Sequence, residues 1–429
     1  MIWSHEEALS RDEMHALQSR RLLHALGCAW SGQAPYRAKL EALGLAPGDI
    51  QGVEDLPRLP FTTKDDFRLH YPFGLLAVPR SQVVRVHASS GTTGKPTVVA
   101  YTRRDLDTWA DLVVRIQVMA GVMAGDTAQI CNGYGMFAGG FGHHLGLEHL
   151  GAMVIPSSSG HTEKQILYMQ DLGTTVFFAT PSYAIHLGEA IRERGLDPEK
   201  DLSVRKGLFG GEAMTDCMRR DILRLWGEGF SATQNYGMSE LLGPGVAGEC
   251  LCHTGLHVQE DHFIPEIVDP DTGAVLPPGA LGELVISAVT KDAMPLIRYR
   301  TRDITRLRYE PCPCGRTTVR MDPPLGRTDD MVVLRGVNVF PSQIDEVLFH
   351  VPGLSPFYQI ILTTHRGLDR MQIRVELAAE GPDCAGLEAH IRARLREALS
   401  LDCCVEVLPP RSLDRPEGKS RFLLDLRRR

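Results

Sequence analysis

The sequence predicts an α/β protein. A large N-terminal domain of mixed and parallel sheets carries a β subdomain, and a small α+β domain follows at the C-terminal end. Three observations predict this. From about residue 83 short β-rich runs alternate with helical segments, the pattern of strands joined by crossover helices. Past residue 262 the texture turns β-rich. Near Gly326-Arg327-Thr328-Asp329-Asp330 it shifts again, into a last stretch of about 100 residues with its own short order of elements, enough to fold alone. At 429 residues the chain exceeds one simple domain, and two or three units of about 100–200 residues are expected. The expected division is 1–328 and 329–429, with the β subdomain at about 245–325.

Residues 5 to 45 read as helical, with Leu9, Leu17, Leu22, Leu23, Leu26, Leu40 and Leu43 recurring among charges. Pro57, Pro60 and Phe61–Asp66 mark a loop entering another helix, with Thr62 or Thr63 as N-cap. Strand-like runs then fall at 83–87, 98–101, 128–131, 153–156, 175–179 and 206–209. Helical segments such as 104–119 and 164–172 separate them. Each of these strands ends in a polar or glycine-rich turn, and ligands of such sheets bind outside the carboxyl ends of strands. The β-rich part holds runs at 263–268 and 282–287 and reads as a second β subdomain or a barrel. The last unit reads as a strand pair around 331–334, a helix from Ser342, strands at 357–362 and 371–378, a helix over 387–399 and a strand over 404–408.

Composition narrows the function classes. Hydrophobic residues make up 43% and charged residues 23%, a globular chain with ample core. The formal net charge is −7, from 46 Lys+Arg against 53 Asp+Glu, which argues against a nucleic-acid partner. Residues 1–7 show no basic start followed by an apolar run, so no signal peptide is expected, and no stretch has the length of a membrane span. Ten cysteines without a secretory signal predict a reducing, cytoplasmic setting.

One stretch concentrates chemistry. Ser89-Ser90-Gly91-Thr92-Thr93-Gly94-Lys95 follows a strand-like run and joins glycines, hydroxyls and an ammonium, the groups that hold a polyphosphate. A glycine-rich surface turn is the blander alternative. The loop is not that of a P-loop nucleotidase: serine stands at 89 where the first glycine belongs, and Pro96 follows the lysine. With this loop go five more motifs in order: Tyr236-Gly237-Met238-Ser239-Glu240, Tyr299-Arg300-Thr301-Arg302-Asp303, Gly326–Asp330, Arg335–Ser342 and Arg415-Pro416-Glu417-Gly418-Lys419. Together they resemble the adenylate-forming superfamily, and most of all its phenylacetate–CoA ligase family, over residues 61 to 419.

The resemblance implies a two-step reaction. A carboxylate attacks the α-phosphate of ATP to give an acyl-adenylate and pyrophosphate, and the thiol of coenzyme A then displaces AMP. It further implies that Ser89–Lys95 wraps the β- and γ-phosphates, that Glu240 holds Mg²⁺, and that Ser239 contacts the α-phosphate. Tyr236 would lie against adenine, with Asn235 and Gly237 beside it and the backbone of Gly211 and Glu212 along the adenine edge. Asp303 would take the ribose hydroxyls, and Arg327 would reach the nucleotide. Lys419 would bridge substrate carboxylate and α-phosphate, with Asp329 at the hinge about which a mobile small domain turns. Read without the resemblance, Glu240 could be a helix N-terminal charge, Asp303 a salt-bridge partner of Arg300 or Arg306, and Lys419 a solvated loop residue.

The aromatic, glycine-rich segment 132–144 offers ring faces from Tyr134, Phe137 and Phe141, and glycines that bring backbone close to a flat ligand. By resemblance it is the wall of the acid pocket, completed by Ala179 and Gly211; for Phe141 core and pocket are equal alternatives. Nothing suggests a long apolar tunnel, so a small aromatic acid is expected. Ring-degrading phenylacetate ligases commonly carry Pro-Trp where this chain has Ala213-Met214, which brings substituted benzoates into competition with phenylacetate. A carrier-protein phosphopantetheine could replace coenzyme A as acceptor, and members are often dimers. A non-catalytic nucleotide-binding protein is the remote alternative, since Glu240, Asp303 and Lys419 are all present. Cys250-Leu251-Cys252-His253 with His257, and Cys312-Pro313-Cys314, offer zinc-ligand pairs. The resemblance selects Cys250, His257, Cys312 and Cys314 for a structural zinc, with Cys252 as a spare or a substitute; free thiols are the alternative.

Overall fold

The structure, a computed structural model, describes residues 1–89, 96–328, 332–334, 337–339, 341–365, 368–379, 384–399, 401–413 and 421–427. Ser90–Lys95, Asp329 and Lys419 therefore lie outside the described residues.

The chain opens with α1 (Arg11–Gly32) and α2 (Ala34–Ala42). Ser10 starts α1 reciprocally: its hydroxyl accepts from the Glu13 N–H, and the Glu13 carboxylate accepts from the Ser10 N–H. Met14, Gln18, Leu22, Ala25, Leu26 and Ala29 form its buried face, three or four residues apart as one helix side requires. The short α3 (Lys64–Leu69) has Thr63 at its N-cap, where Asp66 accepts from the Thr63 N–H. A hairpin follows, β1 (Arg85–Ser89) antiparallel to β2 (Thr97–Tyr101).

The α/β part then runs α4 (Arg103–Met119), β3 (Thr127–Ile130), α5 (Ala138–Leu150), β4 (Met153–Ile155), α6 (Thr162–Asp171), β5 (Val176–Ala179), α7 (Pro181–Glu193), the single turn α8 (Pro198–Asp201), β6 (Lys206–Phe209), α9 (Asp216–Trp226) and β7 (Ser231–Met238). Strands β4, β3, β5, β6 and β7 lie side by side and parallel. β8 (Gly243–Glu249) and β9 (Leu256–Val258) continue this sheet in the antiparallel sense. Along β5 alternate residues point to opposite faces: Val176 and Phe178 enter the core built with α4 and α5, and Phe177 enters the one built with α6, α7 and α9.

β10 (Phe263–Val268), β11 (Gly282–Ala288) and β12 (Leu296–Thr305) form a second, antiparallel sheet. β13 (Leu307–Arg308) and β14 (Arg320–Met321) return to the edge of the large sheet, and β15 (Gly326–Arg327) pairs with β12. The expected β subdomain is thus divided between two sheets, and its own four strands stay open rather than closing a barrel. α1 and α2 cover this sheet through Leu22, Leu26 and Leu40 against Ile264, Val289 and Ile297.

The last part holds the ribbon β16 (Val332–Leu334) with β17 (Val337–Val339), then α10 (Pro341–Phe349), β18 (Leu354–His365), β19 (Leu368–Leu377), α11 (Cys384–Leu399), β20 (Cys404–Leu408) and β21 (Arg421–Asp425). Among the described residues its core draws only on 332 to 407. It meets the large part where the Cys217 thiol of α9 donates to the Phe349 carbonyl at 2.7 Å and Arg220 meets His350 at 3.2 Å.

Two expectations change. The run at 98–101 belongs to the β1–β2 hairpin and not to the parallel sheet. The glycine-rich segment 132–144 runs into a helix, α5, whose glycines serve packing. A Cβ at Gly142 would lie 2.7 Å from the Trp109 ring and one at Gly146 2.6 Å from Val113, so these glycines let α5 approach α4.

Candidate active site and a cysteine–histidine cluster

The predicted nucleotide residues collect at the carboxyl ends of β5, β6 and β7, as an α/β sheet directs. The Gly210 N–H donates to the carbonyl of Ala179 at 3.1 Å. Asn235 reaches back to the Phe209 carbonyl at 3.0 Å. Gly211 takes a φ of +84°, and the Glu212 carboxylate that follows accepts from the Ser182 N–H in the first turn of α7 at 2.7 Å.

One strand over, the Tyr236 hydroxyl donates to Asp303 at 2.5 Å. Asp303 stands opposite Arg327 in the β12–β15 register, and the two ion-pair at 3.6 Å. Burial, and then the Asp303 charge, push the Tyr236 phenol well above its ordinary range. Arg300 and Arg306, the alternative partners of Asp303, go elsewhere: Arg300 to Glu283 and Arg306 to Asp322.

β7 ends in a tight turn, Ser239–Leu241, before β8. Gly237 is required here, since a Cβ would lie 1.9 Å from the Gly243 carbonyl oxygen. Glu240 is only 4% exposed, and no described residue hydrogen bonds to or ion-pairs with its carboxylate. A buried carboxylate without a partner is costly unless a cation joins it, so the residue fits a divalent ion. Both strands of the β1–β2 hairpin pack against this turn, which brings Ser89 into the same neighbourhood. The Ser89 and Thr97 hydroxyls on either side of 90–95 are buried with no hydrogen-bond partner among the described residues, which suits them to a bound anion.

Of the acid-pocket candidates, Tyr134 and Phe141 meet edge-to-face at 5.1 Å, and Phe141 also meets His87 of β1 at 5.6 Å. The Tyr134 hydroxyl bonds His144 at 3.0 Å, and His144 contacts Glu148 at 3.1 Å. Phe137, at the N-cap of α5, is 51% exposed. Ala179 is buried at the end of β5. Met214, which stands where tryptophan is common, is buried in the core between β6 and α9.

Sequence reasoning missed the underside of the Glu240 turn. Lys291, between β11 and β12 and 2% exposed, donates to the Glu240 carbonyl at 2.8 Å, and the Tyr101 hydroxyl donates to the Ser239 carbonyl at 3.0 Å. Burial pulls the Lys291 ammonium down to about 8, opposed by the charges of Asp105 and Glu240. The one available signal was a lysine in a turn between two strands that otherwise read as buried.

Cys250, His257, Cys312 and Cys314 place their ligand atoms within 4.8 Å of one another. The three cysteines are free thiols, and Cys252 is exposed and outside the group. Burial lowers His257 to about 3, so the imidazole is neutral, as a metal ligand must be. Its Nδ1 faces the Thr318 hydroxyl at 3.1 Å and its Nε2 the Cys314 sulfur at 3.4 Å. Burial would raise the Cys312 thiol, but hydrogen bonds from Thr254, the Cys314 backbone and the neighbouring thiols prevail and hold it at about 7. Three sulfurs and a nitrogen at these separations fit a tetrahedral zinc site.

Residues 63–290 match the family of AMP-binding enzymes, and residues 336–427 match the AMP-binding enzyme C-terminal domain. The chain is 45% identical to phenylacetate–coenzyme A ligase of Thermus thermophilus, across 98% of both chains. The chain belongs to the phenylacetate–coenzyme A ligase family. It is an acid–thiol ligase that forms AMP. The Escherichia coli K12 member is 44% identical across 98% of this chain and 97% of that one. Among solved structures, 2-hydroxyisobutyryl-CoA ligase in its postadenylation state superposes with a TM-score of 0.90 at 27% identity, covering 98% of this chain and 91% of that one. The same ligase in its thioesterification state gives 0.73 with the same coverage. This member of the family is therefore folded nearer to the postadenylation arrangement. No helix among its described residues is long and apolar enough to cross a membrane.

Proposed function

We propose that this ligase activates a small aromatic acid, phenylacetate or a substituted benzoate, and passes it to coenzyme A. The observation that carries the choice of acid is the near full-length 45% identity to a phenylacetate ligase, and the ring pair Tyr134–Phe141 agrees with it. A carboxylate oxygen attacks the α-phosphorus, the bond to the β-phosphate oxygen breaks, and pyrophosphate leaves. The thiol sulfur then attacks the acyl carbon, and AMP leaves with the former carboxylate oxygen. The obstacle in the first step is the approach of two anions, so cations and donors must be aimed at the reacting phosphate.

In this reading Ser89–Lys95 clasps the leaving pyrophosphate, Ser239 contacts the α-phosphate, and Tyr236, Gly211, Glu212, Asn235 and Gly237 frame the adenine. Asp303 takes the ribose hydroxyls, with Arg327 beside it. Tyr134, Phe137, Phe141, Ala179 and Gly211 enclose the acid. A magnesium ion at Glu240 would neutralise phosphate charge. Zinc at Cys250, His257, Cys312 and Cys314 would clamp the ends of β8 and β9 to the 312–314 loop and do no chemistry, since four protein ligands leave no open position. Lys419 supplies the adenylation cation from the small domain, 329–429, which turns about Asp329. A homodimer, as in relatives of this class, is tested by sedimentation.

A panel of aryl acids with ATP and coenzyme A, reading AMP release, tests the acid. Phenylacetate or an amino- or hydroxybenzoate should head the panel; a linear fatty acid at its head would overturn the reading. A phosphopantetheinylated carrier protein in place of coenzyme A should give no acyl transfer. Lys419→Ala should lower acid-dependent pyrophosphate exchange by about 100-fold or more, with thioester formation from preformed adenylate much less affected.

A further inference from the structure

We propose that Lys291 and Tyr101 are positioning residues for adenylation, holding the Ser239–Glu240 turn from beneath so that the Glu240 carboxylate is presented to the metal–phosphate site. The inference rests on the reading of Glu240 as the magnesium residue and goes beyond it.

The turn is held at two carbonyls, and the start of β8 at a third, by three side chains from separate elements. Tyr101 of β2 takes Ser239 at 3.0 Å, Lys291 takes Glu240 at 2.8 Å, and the Trp109 indole of α4 takes Pro244 at 2.8 Å. The three donors support one another. Tyr101 stacks on Trp109 with ring centroids 5.3 Å apart, and the Lys291 ammonium lies 5.4 Å from the Tyr101 ring centroid. Lys291 is itself fixed by Asp105, fully buried, whose carboxylate accepts from the N–H groups of Asp292 at 2.6 Å and Ala293 at 3.0 Å. The same carboxylate accepts from the N–H of Thr102 at 2.8 Å. A continuous path thus runs from the start of α4 through the 291–293 turn to Glu240.

Stability alone does not account for a lysine here. A buried ammonium is costly, and an apolar side chain of similar volume commonly does as well or better. What the ammonium adds is a charge-assisted bond to one particular carbonyl. With the carbonyls of 239 and 240 held, the peptide planes on both sides of the Glu240 Cα are fixed and with them the direction of its Cα–Cβ bond, and a carboxylate held in place binds a cation without reordering first.

The test measures acid-dependent pyrophosphate exchange against magnesium concentration in the full-length enzyme, for Tyr101→Phe, Lys291→Met and Glu240→Gln. Tyr101→Phe keeps the ring and removes only the hydroxyl. The half-saturating magnesium concentration should rise about threefold in Tyr101→Phe and about tenfold in Lys291→Met, with KM for the acid unchanged. Should Lys291→Met fail to fold, Tyr101→Phe decides alone. Unchanged magnesium dependence in the folded variants, beside a shifted one in Glu240→Gln, overturns the positioning role. Unchanged dependence in Glu240→Gln overturns the reading of Glu240, and this inference with it.

Discussion

Two donor sets stand at opposite ends of a single strand, β8. Just before it lies Glu240, a lone hard carboxylate in a turn held from below by Tyr101 and Lys291. Just after it lies Cys250, one of four soft or borderline donors that face each other within 4.8 Å. On the proposed reading the first set would be incomplete by construction: one protein oxygen would leave positions for a substrate and water to fill, as magnesium sites with phosphates require. The second is complete within the chain. On that reading one strand would carry a working site at one end and a fastening at the other, and the number of protein donors would tell them apart.

That contrast can be broken by separating activity from stability. Glu240→Gln should lower AMP release by about 100-fold or more, while the melting temperature stays within about 1 °C. The reverse pattern, lost stability with retained turnover, would assign Glu240 to the fold. Cys312→Ser, or metal stripping with a strong chelator, should lower the melting temperature on the order of 5 °C, with kcat of the folded enzyme at 25 °C changed less than about twofold. Unchanged melting would leave the four residues as ordinary thiols and a histidine.

Between the two extremes lies Asp303, which meets Tyr236 and Arg327 and is also expected to face the ribose. Asp303→Asn should raise KM for ATP about tenfold, measured at saturating acid, with a small loss of stability. The smallest effect belongs to Cys252. Exposed and outside the cluster, it should tolerate Cys252→Ser with less than about 1 °C of change in melting and no change in metal content.

The parallel strands were legible because short apolar runs bounded by turns carry their own signal, and the strand at 206–209 falls where the sequence placed it. Helix α5 was not. Gly139, Gly140 and Gly142 read as part of a wall facing a flat ligand, because a glycine such as Gly142 that admits a neighbouring helix is indistinguishable in sequence from one that admits a ligand. Residue types showed the cysteine pairs and His257, the resemblance selected the four, and the structure brings those four together and sets Cys252 outside them. The brace beneath Glu240 was hidden for a different reason. Tyr101, Asp105 and Lys291 lie up to 190 residues apart and belong to no motif, so only the packing of β2, α4 and the β11–β12 turn joins them.

The pairing of β21 with β18 carries a mechanical consequence. Arg421 stands opposite Tyr358 at the start of a parallel ladder inside the small domain's sheet. In the sequence Lys419 stands two positions upstream of that anchor. On the role proposed for Lys419, its approach and withdrawal would be those of an entire sheet, moved as a lever, and the passage between the two reactions would be closer to throwing a switch than to bending a loop.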